Sequence, residues 1–204
     1  MLGGGHLVCD DYSGYKKCFK QGMTEVACLA RARRKFVDLA ETGKSQIAYQ
    51  VIELIGGLYA IEQDVKTLDD QQRWQARQAR GKPIADTLHQ WLQANHQKVP
   101  YGSVTAKTID YMPKRWVALT RYLDDGRLPI NNNWVENQMR PWVLGRKNWL
   151  FAGSERSGER AAAIMTLVQS GKLNEHDPYA YLKDVLTRLP THKYKLLPHH
   201  WSPQ

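Results

Sequence analysis

Residues 45 to 61 carry an apolar side chain at every third or fourth position. This spacing is typical of an amphipathic helix with one face in a core. Ser45 precedes the repeat and is a suitable N-cap. The inward-facing residues are expected to be Ile47, Val51, Leu54, Ile55, Leu58 and Ile61. A chain built around such a repeat is predicted to be mainly α-helical.

Further helix signals lie on both sides of this repeat. The other predicted helices are 24–40, 68–79, one from 83, one from 103, one from 133, one ending near 171 and one from 178. Thr24 is expected to cap the first of them, and Asp177 the last. Pro113 should kink or split the helix that contains it. After Gly145 we expect a short extended piece before the chain turns into its next helix.

The segment "HLVC", residues 6–9, is read as a short buried strand. It is apolar, and the polar turn sequence "DDYSGY" ends it. Asp10 and Asp11 therefore follow a strand directly.

Positive charge is concentrated in this chain. Lys and Arg outnumber Asp and Glu by 29 to 20, which gives a net charge of +9. Residues 16–36 carry seven basic side chains and a single acid, and a second basic stripe is formed by Arg73, Arg77 and Arg80. Such patches are either solvated helix faces or surfaces for a polyanion, and two of them in one chain favour nucleic acid.

Three cysteines and no secretory leader point to a reducing cytosol. The most apolar window, "IAYQVIELIGGLYAI", is interrupted by Gln50 and Glu53, so we expect no membrane partner.

The run "NNNWVENQMRPWVLGRKNWLFAGSERSGER", with "CDDYSGY" and "ACLARARRKF" before it, resembles the transposases of the insertion-sequence-66 family across essentially the whole chain. The resemblance implies a DDE-type transposase acting in DNA transposition. Its fold would be a partial ribonuclease-H-like α/β core interrupted by an all-α insertion. Mg²⁺ or Mn²⁺, held by three carboxylates, would serve DNA cleavage and strand transfer. The implied location is the bacterial cytoplasm at the nucleoid, and the implied partners are transposon-end DNA and further copies of the chain.

Position by position, the resemblance assigns the second aspartate of such a site to Asp10 and the glutamate to Glu136. Asp11 stands where the family usually has glycine, so both aspartates are candidates and Asp10 is preferred. Asn132 and Asn133 would shape and cap the turn that presents Glu136. The alternative for Glu136 is an ordinary first-turn acid favoured by the helix dipole. The candidate DNA-binding residues are Arg33, Arg34, Lys35, Arg140, Arg146 and Lys147.

The implied organisation has four parts: a core remnant at 1–22, a helical insertion at 23–127, a return to the core at 128–172, and a C-terminal helix and tail at 173–204. The sequence contains no counterpart of the first strands or of the first aspartate. Two carboxylates do not readily hold two metal ions, so we expect little or no strand transfer by this chain alone. The alternatives are a non-catalytic basic DNA-binding module and a helical assembly module.

Overall fold

The computed structural model describes residues 4–43, 45–149, 152–189 and 196–202, with the backbone alone described at 146–149. The chain is mainly α-helical, as predicted, and it divides into two compact units, Met1–Trp134 and Val135–Gln204. We call these the first and the second unit and describe each by itself.

The first unit begins with two parallel strands joined by a helix. Strand β1 spans His6–Cys9, helix α1 spans Lys16–Lys20 and strand β2 spans Thr24–Ala27. His6 lies opposite Thr24, and Cys9 lies opposite Ala27. The strand at residues 6–9 is thus confirmed. The predicted start of the next helix at Thr24 is wrong, because Thr24–Ala27 form β2 and the helix begins at Leu29. Thr24 and Val26 are β-branched residues that suit a strand, and pairing with β1 outweighs the capping signal.

Helices make up the rest of the first unit. They are α2 (Leu29–Gly43), α3 (Gln46–Asp64), α4 (Asp70–Ala76), α5 (Lys82–His96), α6 (Val104–Lys114) and α7 (Trp116–Thr120). Their largest buried side chains are Phe36, Val51, Ile55, Leu88, Leu92, Ile109, Met112 and Leu119. The hydroxyls of Ser45 and Ser103 accept the N–H groups of Ala48 and Ala106, so both predicted caps are confirmed. Pro113 precedes the break between α6 and α7, as predicted.

A π-helical segment, Arg77–Gly81, joins α4 to α5 without the break expected before Pro83. Arg77 lies inside the unit with only 1% of its surface exposed. Its guanidinium donates to both carboxylate oxygens of Glu62, at 2.8 and 2.6 Å, and to the carbonyl oxygens of Tyr122 and Asp125. The basic stripe is therefore not a free surface for polyanions, since its central charge is neutralised in the interior.

The other two arginines of the stripe also have protein partners. Arg73 donates to the carbonyl oxygens of Gly126 and Leu68, and Arg80 pairs with Asp64 at 2.5 Å. Together with Arg77, Arg73 fixes the segment after α7 that leads towards α8.

The second unit contains most of α8 (Asn133–Trp149), together with α9 (Glu155–Leu173) and α10 (Pro178–Arg188). Helix α8 continues through Pro141 to Trp149, so the extended piece predicted after Gly145 is wrong. Asp177 caps α10 by accepting the N–H of Ala180 at 2.8 Å, as predicted.

A small core joins α10 to the C-terminal segment. Tyr181 and Val185 pack with Leu196 and Trp201, and the Tyr181 hydroxyl donates to the Leu196 carbonyl at 2.8 Å. Gly171, in the last turn of α9, lies against the Tyr181 ring. None of the helices that the structure describes is both long and apolar enough to cross a membrane.

Candidate functional site

Asp10 lies just beyond the carboxyl end of β1. There the N–H of Cys28, which follows β2, donates to the carbonyl of Cys9 at 2.9 Å and closes the end of the sheet. The Asp10 carboxylate is half-buried and accepts the backbone N–H of Tyr12 at 3.1 Å. It forms no ion pair with any side chain in the described part of the chain. Asp10 thus retains oxygen lone pairs at the end of a parallel sheet, where ligands commonly bind in α/β proteins.

Asp11 differs from its neighbour because it is paired. The Arg115 guanidinium, at the junction of α6 and α7, contacts the carboxylates of both Asp11 and Glu25. Only 15% of the Arg115 side chain is exposed, and its guanidinium lies 5.6 Å from the centroid of the Tyr111 ring. Burial lowers the pKa of Arg115 from its ordinary value, yet an arginine stays charged in proteins. Sequence reasoning missed this residue, since Arg115 follows Lys114 just after Pro113 and such a basic pair carries no periodic or motif signal.

Two cysteines, Cys9 and Cys28, lie at this end of the sheet, and both are buried. Burial, followed by the negative charge of Glu25, raises the pKa of the Cys9 thiol to about 11. The Cys9 thiol therefore stays protonated and neutral at physiological pH. Cys28 is also buried, with 3% of its surface exposed, and packs as a small apolar residue.

Glu136 lies in the first turn of α8, in the second unit, and its side chain is exposed. The residue that shapes the start of this helix is Asn131, whose side-chain oxygen accepts the N–H of Asn133 at 3.0 Å. Asn133 is already helical, so the cap proposed for it from the sequence is wrong. The Asn132 side-chain oxygen is buried, and no donor reaches it from the described residues.

Three of the cations predicted to bind DNA lie on α8. Arg140 is exposed one turn after Glu136, and no ion pair joins the two side chains among the described residues. Arg146 and Lys147 belong to α8 by their backbone, while their side chains lie outside the described part.

Helix α2 carries the cations predicted to bind DNA. Arg33 and Arg34 are exposed and line a groove of about 680 Å³ together with Tyr59 and Asn133. Asp38 and Glu41, towards the other end of the helix, line the same groove. Neither arginine has an ion-pair partner among the described residues. Lys35 is half-buried, with its ammonium nitrogen 4.6 Å from the centroid of the Tyr111 ring.

The structure thus places the two candidate metal ligands in different units, Asp10 in the first and Glu136 in the second. Among the described residues, no cluster of three or more histidine, cysteine, aspartate or glutamate side chains is arranged to hold a metal ion.

Comparison with known proteins assigns the chain to a family. The model described as "Transposase IS66 family" matches residues 2–160, and the "IS66 C-terminal element" matches residues 166–199. The chain belongs to the IS66 transposase family. The match to the C-terminal element includes most of the small core formed by α10 and the segment after it.

Relatives of this IS66 family member occur in Sinorhizobium fredii. "Uncharacterized protein y4hP" is 36% identical over 98% of this chain and 40% of its own length. "Uncharacterized protein y4jD" is 35% identical over 91% of this chain and 38% of its own length. "Uncharacterized protein y4qI" is 39% identical over 91% of this chain and 36% of its own length. The chain thus spans less than half the length of these relatives. No solved structure matches it.

Proposed function

We propose that this chain is part of a DDE-type transposase and supplies two of the three carboxylates that bind its divalent metals, Asp10 and Glu136. The β1–α1–β2 arrangement supports a ribonuclease-H-like core. It places two parallel strands side by side and an acidic residue at the carboxyl end of the first. The position of Asp10 within this unit, in a chain of the IS66 family, is the observation that carries the proposal.

The residues present fit Mg²⁺ or Mn²⁺. Both ions prefer hard oxygen ligands, and Asp10 and Glu136 are carboxylates with accessible oxygens. When bound, such ions activate a water or a 3′ hydroxyl and stabilise the leaving oxygen of a phosphoryl transfer. Asp10 is held in place by the Tyr12 N–H, while Glu136 is carried by the first turn of α8.

The Glu136 role is tested by Mn²⁺ binding to the purified chain, measured from the electron paramagnetic resonance signal of the free ion. Glu136→Gln should weaken binding at least about tenfold, because a carboxylate ligand is lost. Glu159→Gln is the matched control, since Glu159 is another exposed helical glutamate of the second unit. Equal affinities of the two variants would refute the assignment of Glu136.

Catalysis by these 204 residues alone is expected to be minimal, since two carboxylates do not fix two metal ions well. In a plasmid-nicking assay with Mg²⁺ or Mn²⁺, we expect the chain to behave like its Asp10→Asn/Glu136→Gln double variant. Nicking that disappears in Glu136→Gln would contradict this expectation.

We further propose that the N-terminal half of α2 binds the DNA backbone. Arg33 and Arg34 are exposed and unpaired in the described part, whereas the arginines of α4 and the π-helical segment are paired internally or with Asp64. Unpaired cations bind phosphates by releasing counterions, so the affinity falls as salt rises. The acids at the other end of the groove would restrict the contact to the arginine end.

The test is duplex-DNA binding, measured by fluorescence anisotropy over a range of salt concentrations. Replacing Arg33 and Arg34 with Gln should weaken binding about tenfold and reduce the slope of log affinity against log salt by about 2. The matched control replaces Arg80 and Arg127, which removes the same charge from exposed arginines already paired with Asp64 and Asp125. Equal losses in both variants would show a general charge effect and would contradict a site on α2.

The same assay separates the catalytic proposal from a purely DNA-binding module. The exposed Arg33 and Arg34 need no metal to bind phosphates, so they favour the DNA-binding module as the second candidate function. A DNA-binding module without catalysis predicts two results. DNA affinity should be unchanged by metal chelation and by Glu136→Gln. Neither Asp10→Asn nor Glu136→Gln should alter Mn²⁺ binding.

A third property, self-association, is proposed from α8. Val135, Met139 and Val143 are exposed at four-residue spacing and form an apolar stripe on this helix. A large exposed apolar patch is typical of an interaction surface. Sedimentation of the chain and of Met139→Glu tests this: an assembly that persists in the variant would place the interface elsewhere.

A further inference from the structure

Arg115 distinguishes two adjacent aspartates. Its guanidinium contacts the carboxylates of Asp11 and Glu25, while the neighbouring Asp10 accepts only the backbone N–H of Tyr12 among the described residues. The two aspartates have the same chemistry and lie beside each other in sequence, at the same end of β1. The charge of Arg115 also acts on Asp10 over a longer distance, but only Asp11 is in direct contact with the guanidinium.

The position of Arg115 makes this pairing persistent. Its side chain is 15% exposed, so solvent screens the two ion pairs only in part. The neighbouring Arg121 donates to the backbone carbonyl of Glu25 and helps to hold this strand in place. The Glu25 side chain is 30% exposed and the Asp11 side chain 52% exposed, so both carboxylates would be accessible to a metal ion if Arg115 released them.

We infer that Arg115 determines which carboxylate at this end of the sheet takes a divalent cation, by pairing directly with Asp11 and Glu25 and leaving the Asp10 oxygens without such a contact. The inference rests on the proposed metal role of Asp10. A guanidinium in contact with a carboxylate occupies its lone pairs and repels a second cation. Arg115 is thus a positioning residue, which acts through Asp11 and Glu25 and not on the metal or the substrate directly.

The test removes the arginine and measures Mn²⁺ binding by the free-ion resonance signal. Arg115→Gln should raise the affinity for Mn²⁺ about tenfold, because two carboxylates lose their cationic partner. The gain should shrink in the Arg115→Gln/Asp11→Asn double variant and disappear when Glu25→Gln is added as well, since both partners of Arg115 are then removed. No gain in Arg115→Gln, or a gain that survives the loss of both Asp11 and Glu25, overturns the inference.

Two further variants test whether a change in Mn²⁺ affinity comes from the contacts of Arg115 with the two carboxylates or from a general loss of positive charge or of the fold. Arg115→Lys keeps a cation, but an ammonium cannot bridge two carboxylates as a guanidinium does, so a smaller gain of about threefold is expected. This variant retains the buried charge and therefore carries the test if Arg115→Gln fails to fold. Arg121→Gln is the matched control: it removes a nearby cation that contacts a carbonyl oxygen, and it should leave Mn²⁺ affinity unchanged. A gain in Arg121→Gln equal to that in Arg115→Gln overturns the inference.

Failure of this inference is distinguishable from failure of the proposed function. If the wild-type chain binds no Mn²⁺ through Asp10 but Arg115→Gln gains binding that depends on Asp11 and Glu25, the metal role of Asp10 fails, while the blocking of these two carboxylates by Arg115 stands. If Asp10→Asn abolishes wild-type binding and the Arg115 variants gain nothing, the proposed function stands and the inference is wrong.

Discussion

The buried arginine of the π-helical segment offers a sharp prediction for stability. Arg77→Ala leaves the Glu62 carboxylate, 15% exposed, without its two charged donors. It also leaves the carbonyl groups of Tyr122 and Asp125 without a donor that reaches them at 2.8 Å. Breaking a buried ion pair by removing one partner costs about 4 kcal/mol of the free energy of unfolding.

Arg80→Ala is the matched control for this prediction. Arg80 comes from the same π-helical segment, but its pair with Asp64 is 52% and 56% exposed. An exposed pair of this kind contributes at most about 0.5 kcal/mol, because solvent screens the two charges. The two variants remove the same side chain and differ in burial.

Urea unfolding followed by circular dichroism measures the difference. With a slope of about 2 kcal/mol per molar urea, Arg77→Ala should lower the midpoint by about 2 M, and Arg80→Ala by at most about 0.3 M. Adding Glu62→Gln to Arg77→Ala should restore part of the loss, since the unpaired buried charge is then removed. Equal midpoints for the two alanine variants would refute the interpretation of this stripe as an internal structural element.

Other predictions concern single contacts of the first unit. Gly126→Ala should destabilise the chain by about 2–3 kcal/mol in urea unfolding, because a Cβ there would overlap the Asp70 carbonyl; a smaller loss would mean that the two segments separate easily. Ser103→Ala should cost about 1 kcal/mol through loss of the α6 cap, and an unchanged midpoint would contradict the capping role. Hydrogen bonds from Arg127 lower the pKa of Asp125 to about 2, so this pair stabilises the fold above pH 4 and the contribution is lost as the pH falls towards 2. Carboxyl NMR should show the Asp125 pKa returning towards 3.8 in Arg127→Gln, and an unmoved value would refute this cause.

Local signals in the sequence were sufficient for much of the helical structure. Ser45, Ser103 and Asp177 each cap the helix predicted from them, since a cap acts within a single turn. The break after Pro113 likewise follows from the geometry of one residue.

Structure that depends on distant partners was not predictable in this way. The strand at Thr24–Ala27 forms because β1 lies beside it, and a run of four residues has no periodicity that separates strand from helix. Helix α8 continues through Pro141, although proline usually ends or kinks a helix.

The charged residues show the same limit. Arg73, Arg77 and Arg80 have the spacing of an exposed helix face. Arg77 is nevertheless buried, because it pairs with Glu62 and donates to carbonyl oxygens after α7. The motif around Asp10 is local, so the sequence could name this residue as a candidate, whereas the contact of Arg115, more than a hundred positions later, is visible only in the fold.

The proposed metal role of this IS66 family member is tested most directly by comparing two neighbouring substitutions. We would measure Mn²⁺ affinity for the wild-type chain, Asp10→Asn and Asp11→Asn under identical conditions. The account predicts at least about a tenfold loss of affinity in Asp10→Asn and almost none in Asp11→Asn, because Arg115 already neutralises Asp11. A loss confined to Asp11→Asn, or no loss in either variant, would contradict it.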